Sequence, residues 1–450
     1  MYLHDSLSNK TRSIEPSDVS IYACGITPYS DAHVGHARTY VVFDFLAKTL
    51  RALNHNVRLV RNITDIDDKI IAVAKRENVH WSVVADNYAA KNRQLMLASG
   101  LDIPEEPKAS AHVPQIIDVV QRLIGLGLAY VASTGDVLYR VDAYKGALLI
   151  EHQAGALLSQ QGKSRVSAEG KEDVRDFALW KTASTEEPGF RSPWGWGRPG
   201  WHIECTAMIG TLFNGHVTIH GGGTDLKFPH HQSEIMQSEP VFGVPVADVW
   251  MHNGSVLFKG VKMSKSLGNV VGWSQALAMA NEKAPGLGAD VLRYALLKTH
   301  WRQPFDWSDS VLDQAVQELV VLSQRALASD GRNAVTFAQT LARNFNTPHS
   351  LGWLHTAGRN GQGATVGDGL ALLGISPHAW AAHSKKRDNA STLSSEEVVR
   401  LQNERESARK QKNWARADEI RDYLQSNGAL IQDAKLACNL LGKGPQKIKP

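Results

Sequence analysis

The stretch from Ser20 to Thr64 places the strongest limit on the fold, because it predicts two strands joined by a helix. SIYACGIT (20–27) is a short apolar run that ends in a turn, residues 36–53 repeat apolar positions at helical spacing, and NVRLVRNIT (56–64) is again typical of a strand. A crossover of this length joins parallel strands, whereas antiparallel neighbours need only a short hairpin. The stretch therefore predicts a parallel α/β sheet, with a ligand site at the carboxyl end of the first strand.

The same patterns divide the 450-residue chain into parts. Further strands are predicted at 136–141 and 216–223, and an amphipathic helix at 112–128. We predict an α/β fold, in which a Rossmann-type parallel-sheet domain with an insertion is followed by a helical bundle and a small C-terminal helical domain. The predicted boundaries are 1–110 for the first half of the sheet domain, 111–195 for the insertion, 196–305 for the second half, 306–390 for the helical bundle, and 391–450 for a helical hairpin with a basic tail.

The C-terminal third alternates between strong and weak patterns. Helical periodicity begins near residue 308 and continues to about 350. Residues 355–395 are rich in glycine and alanine, and their weak pattern predicts a loose connection. A helical hairpin is predicted over 396–413 and 415–426, ended by Asn427-Gly428.

Composition narrows the class of protein. The chain is 43% hydrophobic and 21% charged, and it has no apolar run long enough to span a membrane. The first residues lack the apolar core of a signal peptide. Three cysteines, Cys24, Cys205 and Cys438, are too few and too scattered for a disulfide framework. These features predict a cytoplasmic protein with no membrane association.

The positive charge is concentrated at one end. Residues 401–450 contain ten basic and six acidic side chains, which accounts for the whole net charge of +4. A basic tail is typical of a nucleic-acid contact, and a mixed-charge stretch is also typical of a solvated helical face. Both interpretations stay open at this point.

Three short motifs suggest chemistry. The first is His33-Val-Gly-His36 at a predicted helix start, where the histidines either meet a ligand or are satisfied by backbone groups. The second is KMSKS, which begins at Lys262 and offers two lysines in an exposed loop suited to a polyphosphate. The third is HGGGTDLKFPHH (220–231), a strand that runs into three glycines, which permit close approach of a ligand.

Taken together, these motifs resemble the cysteinyl-tRNA synthetase family, within the class I aminoacyl-tRNA synthetases. The resemblance rests on CGITPYSDAHVGHARTYVVFD, VRNITDIDDKII, GRPGWHIECTAM, HGGGTDLKFPHHQSEI and KMSKSLGN, which lie between about residues 1 and 320. It continues more loosely into KNWARADEIRDYL near the C-terminus.

The resemblance implies a set of site residues. The implied catalytic residues are His33, His36, Lys262 and Lys265. The implied ATP-binding residues are Gly35, Gly222, Gly223, Asp225 and Lys265, and the implied amino-acid-binding residues are Gly25, Thr64, Trp201 and His220. The implied metal ligands are Cys24, Cys205, His230 and Glu234. Asp65, Asp67 and Asp68 are interpreted as caps of the helix that follows them.

It also implies cofactors and partners. One Zn²⁺ per chain would be held by two thiolates, an imidazole and a carboxylate, a suitable four-coordinate set. Zinc binds a thiol much better than a hydroxyl, which would separate cysteine from serine. The other implied partners are L-cysteine, ATP with Mg²⁺, and tRNA(Cys), and the chain is expected to be a monomer.

Some residues depart from the family pattern. The first cysteine begins Cys24-Gly-Ile-Thr-Pro-Tyr29, where the family usually has Cys-Gly-Pro-Thr-Val-Tyr. This variant resembles a related ligase that joins cysteine to an amino sugar in mycothiol synthesis, although that ligase ordinarily lacks the C-terminal hairpin. A non-catalytic tRNA-binding paralogue is the third alternative. The insertion at 144–149 and the tail after Gln432-Asp433 also differ from the family pattern, and in the family both regions contact tRNA.

Overall fold

A computed structural model describes residues 1–15, 17–149, 170–263, 267–327, 334–390 and 395–427. The predictions for Lys265, Cys438 and the basic tail beyond residue 427 lie outside these residues.

The described residues form fourteen strands. In chain order they are β1 (Tyr2–Asp5), β2 (Lys10–Ser13), β3 (Asp18–Ile26), β4 (Asn56–Ile63), β5 (Ala129–Val131), β6 (Val137–Tyr139), β7 (Phe177–Thr182), β8 (Phe190–Ser192), β9 (Gly195–Pro199), β10 (Val217–Gly223), β11 (Ala247–Asn253), β12 (Val256–Phe258), β13 (Val261–Lys262) and β14 (Phe305–Trp307).

The same residues form fifteen α-helices. They are α1 (Val34–Ala52), α2 (Asp68–Glu77), α3 (Trp81–Ala98), α4 (Val113–Gly125), α5 (Trp201–Phe213), α6 (Gln232–Phe242), α7 (Trp273–Lys283), α8 (Gly288–Leu297), α9 (Asp309–Arg325), α10 (Val335–Leu341), α11 (Thr347–Arg359), α12 (Gly363–Leu372), α13 (Pro377–Ala390), α14 (Ser395–Lys410) and α15 (Trp414–Ser426). None of them is both long and apolar enough to cross a membrane.

The central sheet has the strand order β11-β10-β3-β4, and all of its neighbouring strands are parallel. The predicted strand–helix–strand unit is therefore confirmed, with β3 and β4 joined through α1. Because β3 lies beside β10, Cys24 and the glycine cluster at 221–223 meet at the same carboxyl edge of the sheet. This adjacency brings distant parts of the sequence into one site.

A second sheet is formed largely by residues of the predicted insertion (111–195). Its five strands have the order β5-β6-β7-β9-β8 and are antiparallel, and β9 ends at Pro199, four residues beyond the predicted boundary. The sheet is attached to α2 by Asp68, whose carboxylate accepts from Lys181 at 2.8 Å and from Arg198 at 3.0 Å. Of the three aspartates interpreted as caps, only Asp67 accepts from the first turn of the helix, through the backbone N–H of Lys69.

The prediction of a loose connection over 355–395 is wrong. The end of α11, all of α12 and α13 occupy most of this stretch, and Val366, Leu370 and Trp380 are fully buried. The glycines serve close packing, since a Cβ on Gly369 would lie only 2.4 Å from Cδ2 of Leu354. Apolar side chains are sparse in this stretch, so its helical periodicity is weak. Its small residues nevertheless allow the helices to pack closely.

The C-terminal hairpin of α14 and α15 confirms the two predicted helices. Leu401, Ile420 and Leu424 form its small apolar cluster. None of the hairpin residues whose side chains the structure describes belongs to the large core that joins the central sheet to the helical bundle.

Candidate active site

A cavity of about 220 Å³ opens at the carboxyl edge of the central sheet. Its lining brings together residues from three of the sequence motifs and from the end of β11. The predicted site residues among the lining are Cys24, Gly25, His33, Gly35, His36, Gly223, Asp225 and Lys262. The other predicted site residues among those described lie outside the lining: Gly222, Thr64, Trp201, His220, Cys205, His230 and Glu234.

The two histidines of the His33-Val-Gly-His36 motif cap α1. The Nδ1 atom of His33 accepts a hydrogen bond from the backbone N–H of Gly35 at 3.1 Å, and the Nδ1 atom of His36 accepts one from the backbone N–H of His33 at 3.1 Å. A neutral imidazole carries one proton, and an Nδ1 that accepts requires that proton on Nε2. Helix capping therefore makes the Nε2 atom of each ring a hydrogen-bond donor.

Lys262 reaches the cavity from a short hairpin. Strand β13 pairs with β12, so that Lys262 lies opposite Leu257, and its side chain is exposed. The second lysine of the motif, Lys265, lies outside the described residues. Lys262 and the histidines thus line one cavity, although more than 220 residues separate them.

The glycines at the end of β10 keep the sheet edge open. A Cβ on Gly221 would lie 1.9 Å from the carbonyl oxygen of Met251, and one on Gly223 would lie 2.4 Å from an oxygen of Asp225. The first glycine allows close pairing with β11, and the second allows the Asp225 carboxylate to lie against the backbone at the cavity wall.

Two cysteines, a histidine and a glutamate meet at the inner end of the site. The Sγ atoms of Cys24 and Cys205 are 3.9 Å apart, Sγ of Cys205 is 3.5 Å from Nε2 of His230, and that nitrogen is 3.0 Å from Oε1 of Glu234. One ligand atom from each of the four residues lies within 4.8 Å of the others. The predicted same-face placement of His230 and Glu234 is present.

The chemistry of these donors fits a divalent metal. All four side chains are buried; within the described chain the ion-pair partners of Glu234 are histidines, and Sγ of Cys24 lies 3.8 Å from its Oε1. Burial raises the pKa of both cysteine thiols and lowers the pKa of His230 to about 3. A buried carboxylate with two soft donors and a neutral imidazole lacks a cation, and a Zn²⁺ ion would supply one.

A layer of imidazoles surrounds the cluster. His220 Nε2 is 2.7 Å from Oε2 of Glu234, His202 Nδ1 is 3.0 Å from Nδ1 of His230, and His231 lies between Cys24 and His252. Burial lowers the pKa of His202 to about 3, and it also lowers the pKa of His231 and of His252. The rings of His202, His231 and His252 are therefore neutral and act as hydrogen-bonding supports.

A second ligand set is geometrically available. Cys24, His220, His231 and Glu234 also offer donor atoms within 4.8 Å of one another. This set leaves out Cys205, whereas the first set uses both thiols and leaves His220 to orient the second carboxylate oxygen. Ligands in metal sites usually have such a supporting partner, so the first set matches the donor chemistry better.

The four predicted amino-acid contacts occupy different positions. The ring of Trp201 stacks on His230 with 4.5 Å between centroids and is partly exposed. The N–H of Gly25 donates to the Asn62 side chain at 2.9 Å, and a Cβ on Gly25 would lie 1.7 Å from the Asn62 carbonyl oxygen. Thr64 and His220 are buried. Trp201 and Gly25 therefore lie next to the candidate ligands His230 and Cys24, and His220 supports Glu234. Thr64 instead accepts a hydrogen bond from the Asn62 side chain at 3.3 Å.

Sequence reasoning missed several residues of the site. His202, His231 and His252 support the cluster, and Asn253 lines the cavity with a buried Oδ1 that has no hydrogen-bond partner in the described structure. His202 and His231 are direct neighbours of quoted motif residues. The sequence did contain a signal for them. Histidines recur near residues 202, 220, 230 and 252, and no helical or strand periodicity explains them.

Comparison with known proteins places this arrangement in a family. The family described as tRNA synthetases class I (C) catalytic domain matches residues 10–317. A protein of Parvibaculum lavamentivorans named cysteine–tRNA ligase is 41% identical, covering 96% of this chain and 95% of the relative. One of the same name from Geobacter sulfurreducens is 38% identical, covering 94% and 95%.

Solved structures support the fold. A methionyl-tRNA synthetase of Mycobacterium tuberculosis bound by methionyl-adenylate superposes with a TM-score of 0.55 at 15% identity, covering 79% of this chain and 84% of that one. At this identity the likeness concerns the fold alone, and it agrees with the predicted α/β class. With the family match and the full-length relatives, it leads to one conclusion: the chain belongs to the cysteine–tRNA ligase family of class I aminoacyl-tRNA synthetases.

Proposed function

We propose that the chain activates L-cysteine with ATP to cysteinyl-adenylate and transfers the cysteinyl group to the 3′-terminal adenosine of tRNA(Cys). The observation that carries the proposal is that residues of two different kinds line one cavity. Cys24, a member of the thiol-containing cluster, lines the same cavity as His33, His36 and Lys262. A thiol bound at the cluster would hold its carboxylate toward the phosphate-binding side chains.

Cys24, Cys205, His230 and Glu234 would hold one Zn²⁺. When bound, this ion supplies a soft Lewis-acidic centre that binds a thiolate far more strongly than a hydroxyl. The protein's own contribution is to keep His230 neutral through burial and to fix the Glu234 carboxylate through His220. Trp201 covers His230 and excludes water from that side of the cluster.

At the other end of the cavity, the activation step develops negative charge on the phosphate oxygens of ATP. The Nε2–H groups of His33 and His36 point donors at that charge, and the N-terminus of α1 adds its positive potential. Lys262, which lines the same cavity, adds an ammonium group, and Lys265 is proposed to act with it. Fixed donors of this kind lower the barrier because they need no reorganisation when the charge forms.

Adenosine would occupy the edge formed by β10 and β11. Gly35, Gly222 and Gly223 leave room for the base and sugar, and the exposed carboxylate of Asp225 is placed to accept from ribose hydroxyls. Mg²⁺ would enter with the phosphates of ATP as their counterion. The nucleotide therefore needs no further protein-bound metal.

The tRNA would extend from this edge toward the helical parts of the chain. The hairpin of α14 and α15 carries Lys410 and Lys412 together with an exposed Trp414, whereas its Arg416 and Arg421 are paired with carboxylates of the same hairpin. Basic and aromatic side chains on one element suit a ribonucleic-acid surface. We place the protein in the cytoplasm as a monomer, and the insertion on the acceptor side.

The test is cysteine transfer to purified total tRNA with ATP and Mg²⁺, with serine as the matched control. Stable charging with cysteine and none with serine is the expected result. Cysteine-dependent ATP consumption that yields no charged tRNA would instead favour the amino-sugar ligase. The Ile26-Thr27-Pro28 variant resembles that ligase. An absence of any cysteine-dependent ATP turnover would contradict the proposal.

A truncation separates the acceptors further. Removal of residues 395–450 should leave cysteine-dependent ATP–pyrophosphate exchange intact, because the hairpin's apolar cluster is separate from the main core. Charging of tRNA should fall strongly because the basic surface is removed. Equal charging by both forms would argue against the proposed role of the hairpin.

A further inference from the structure

Arg38 lies two residues after His36 on α1, and its side chain is completely buried. Its guanidinium donates only to backbone carbonyl oxygens. These belong to Gly254 at 3.0 Å, Ser255 at 3.2 Å, His300 at 3.2 Å and Gln303 at 2.7 Å. Within the described chain no carboxylate pairs with it. A guanidinium is suited to this use, because its planar fork donates in several fixed directions at once.

The four carbonyls lie on two segments that are themselves joined. The N–H of Gly254 donates to the carbonyl of Trp301 at 2.8 Å, and the N–H of Phe305 donates to the carbonyl of Ser255 at 2.9 Å. Gly254 and Ser255 line the cavity and connect β11 to β12. Arg38 therefore fixes a part of the cavity wall that begins the hairpin carrying Lys262.

The segment that follows the KMSKS loop is also attached to the start of α1. The N–H of Val34 donates to the carbonyl of Val271 at 3.0 Å, and the N–H of Trp273 donates to the carbonyl of Ala32 at 2.9 Å. The helix that carries His33 and His36 thus holds the segments before and after the KMSKS loop. The side chain of Arg38 makes the attachment to the segment before the loop, at the carbonyls of Gly254 and Ser255.

We propose that Arg38 is a positioning residue for the activation step, setting the distance between the two histidines of α1 and Lys262. This role rests on the proposed function, because it requires both groups to act on the same phosphates. Groups that share one developing charge must be aligned closely, and a displacement of about 1 Å can cost a factor of about 100 in rate.

The alternative is that Arg38 only stabilises the fold, and the chain provides a matched control. Arg293 is also buried, and it donates to the carbonyls of Ser99 at 2.5 Å and Gly374 at 2.8 Å. Unlike Arg38, it also pairs with the Asp290 carboxylate at 2.7 Å. It lies on α8, away from the cavity lining. The same substitution at the two sites separates a local effect on alignment from a general loss of stability.

The experiment compares Arg38→Lys with Arg293→Lys in cysteine-dependent ATP–pyrophosphate exchange, with melting temperature and zinc content measured on the same samples. For Arg38→Lys we expect kcat to fall about 100-fold, while KM for cysteine and the zinc content stay unchanged. For Arg293→Lys we expect a lower melting temperature with kcat within about threefold of wild type. Equal effects of the two variants on kcat would overturn the proposal.

A second variant keeps the test independent of the folding of Arg38→Lys. In Gly254→Ala the added Cβ would lie 2.3 Å from the carbonyl oxygen of Gln303, so the cavity-wall segment must shift while Arg38 stays intact. The same selective loss of kcat is expected, and an unchanged kcat would contradict the proposal.

Hydrogen exchange provides a readout without catalysis. In Arg38→Lys, the amides of residues 254–263 should exchange faster than in Arg293→Lys, while those within α1 stay protected. Unchanged exchange at 254–263 would overturn the role of Arg38. If the wild type lacked cysteine-dependent exchange of pyrophosphate, the proposed function would fail, and this measurement would still decide whether Arg38 holds the segment.

Discussion

The two ends of the candidate site differ in how their side chains are held. At the inner end, Cys24, Cys205, His230 and Glu234 are buried and supported by a second layer of histidines. At the outer end, His33 and His36 are partly accessible, and Lys262 is exposed on a two-residue strand. The inner end is a preorganised site, whereas the outer end joins a helix terminus to a hairpin.

This difference matches the tasks proposed for the two ends. Selection of a thiol over a hydroxyl requires donors fixed before the substrate arrives, and burial supplies that rigidity. Binding and release of a polyphosphate require access, and charge on exposed side chains supplies it. Substitutions at the inner end should therefore alter which amino acid is used, whereas those at the outer end should alter how fast it is activated.

The largest expected effect comes from Cys205→Ser at the inner end. Loss of a thiol ligand should remove the zinc and reduce discrimination between cysteine and serine from on the order of 10⁴ to about 10² or less, because a pocket without a specific partner rejects an isostere poorly. Competitive pyrophosphate exchange and metal analysis would measure this. Met208→Leu, on the same helix, is the matched control and should keep its zinc. Retained zinc and selectivity in Cys205→Ser would favour the alternative ligand set with His220 and His231.

A smaller effect is expected at the outer end for His36→Asn. Asparagine can still accept the capping hydrogen bond, but it loses the Nε2–H donor, so kcat should fall about 100-fold to 1,000-fold. Zinc content and KM for cysteine should remain those of the wild type. Steady-state kinetics with metal analysis would check both. A loss of zinc in this variant would show that the two ends are not separate in function.

His220→Asn tests the support of the metal cluster. The hydrogen bond from His220 to Oε2 of Glu234 would weaken, and zinc affinity should fall by about 10-fold to 100-fold, as is typical for an outer partner of a ligand. Titration with a competing chelator would measure the affinity. Selectivity at saturating zinc should be nearly unchanged. If affinity is the same as in the wild type, Glu234 is oriented by other groups.

The smallest effect is expected outside both ends, at Asp68. Burial acts to raise the pKa of Asp68, but Lys181 and Arg198 outweigh it and lower the pKa below its usual value. A carboxyl with a lowered folded-state pKa stabilises the fold above its unfolded pKa of about 3.9, and the contribution is lost as the pH falls through the folded value. Asp68→Asn should therefore cost about 1 kcal/mol at pH 7 and progressively less in acid.

Chemical denaturation at pH 7 and at successively lower pH would measure this difference. Glu77→Gln, on the exposed end of α2, is a suitable control because its carboxylate makes only a local contact with Arg76. A difference between Asp68→Asn and wild type that stays constant into acid would contradict the assignment of the stabilisation to the ionised carboxylate.

The sequence alone predicted the features that depend on neighbours in the chain. The unit of β3, α1 and β4, the helix start at His33, and the hairpin of α14 and α15 all follow from local periodicity and capping. The helices across 355–390 were missed, because their packing depends on glycine and alanine contacts with other helices, which leave little periodic pattern. The metal ligands entered through the family resemblance, since spacing alone cannot bring together two cysteines 181 residues apart.

Tertiary structure decided how the site is assembled. The pairing of β3 with β10 brings Cys24 beside the glycine cluster, α5 carries Cys205, and the turn before α6 and α6 itself carry His230 and Glu234 to the same point. The buried imidazole layer and the four carbonyl contacts of Arg38 also join residues from separate elements. Local propensity acts over a few residues, whereas strand order acts across the whole chain. The sequence motifs therefore identified the candidate site residues, and the strand order of the central sheet determined which of them lie together.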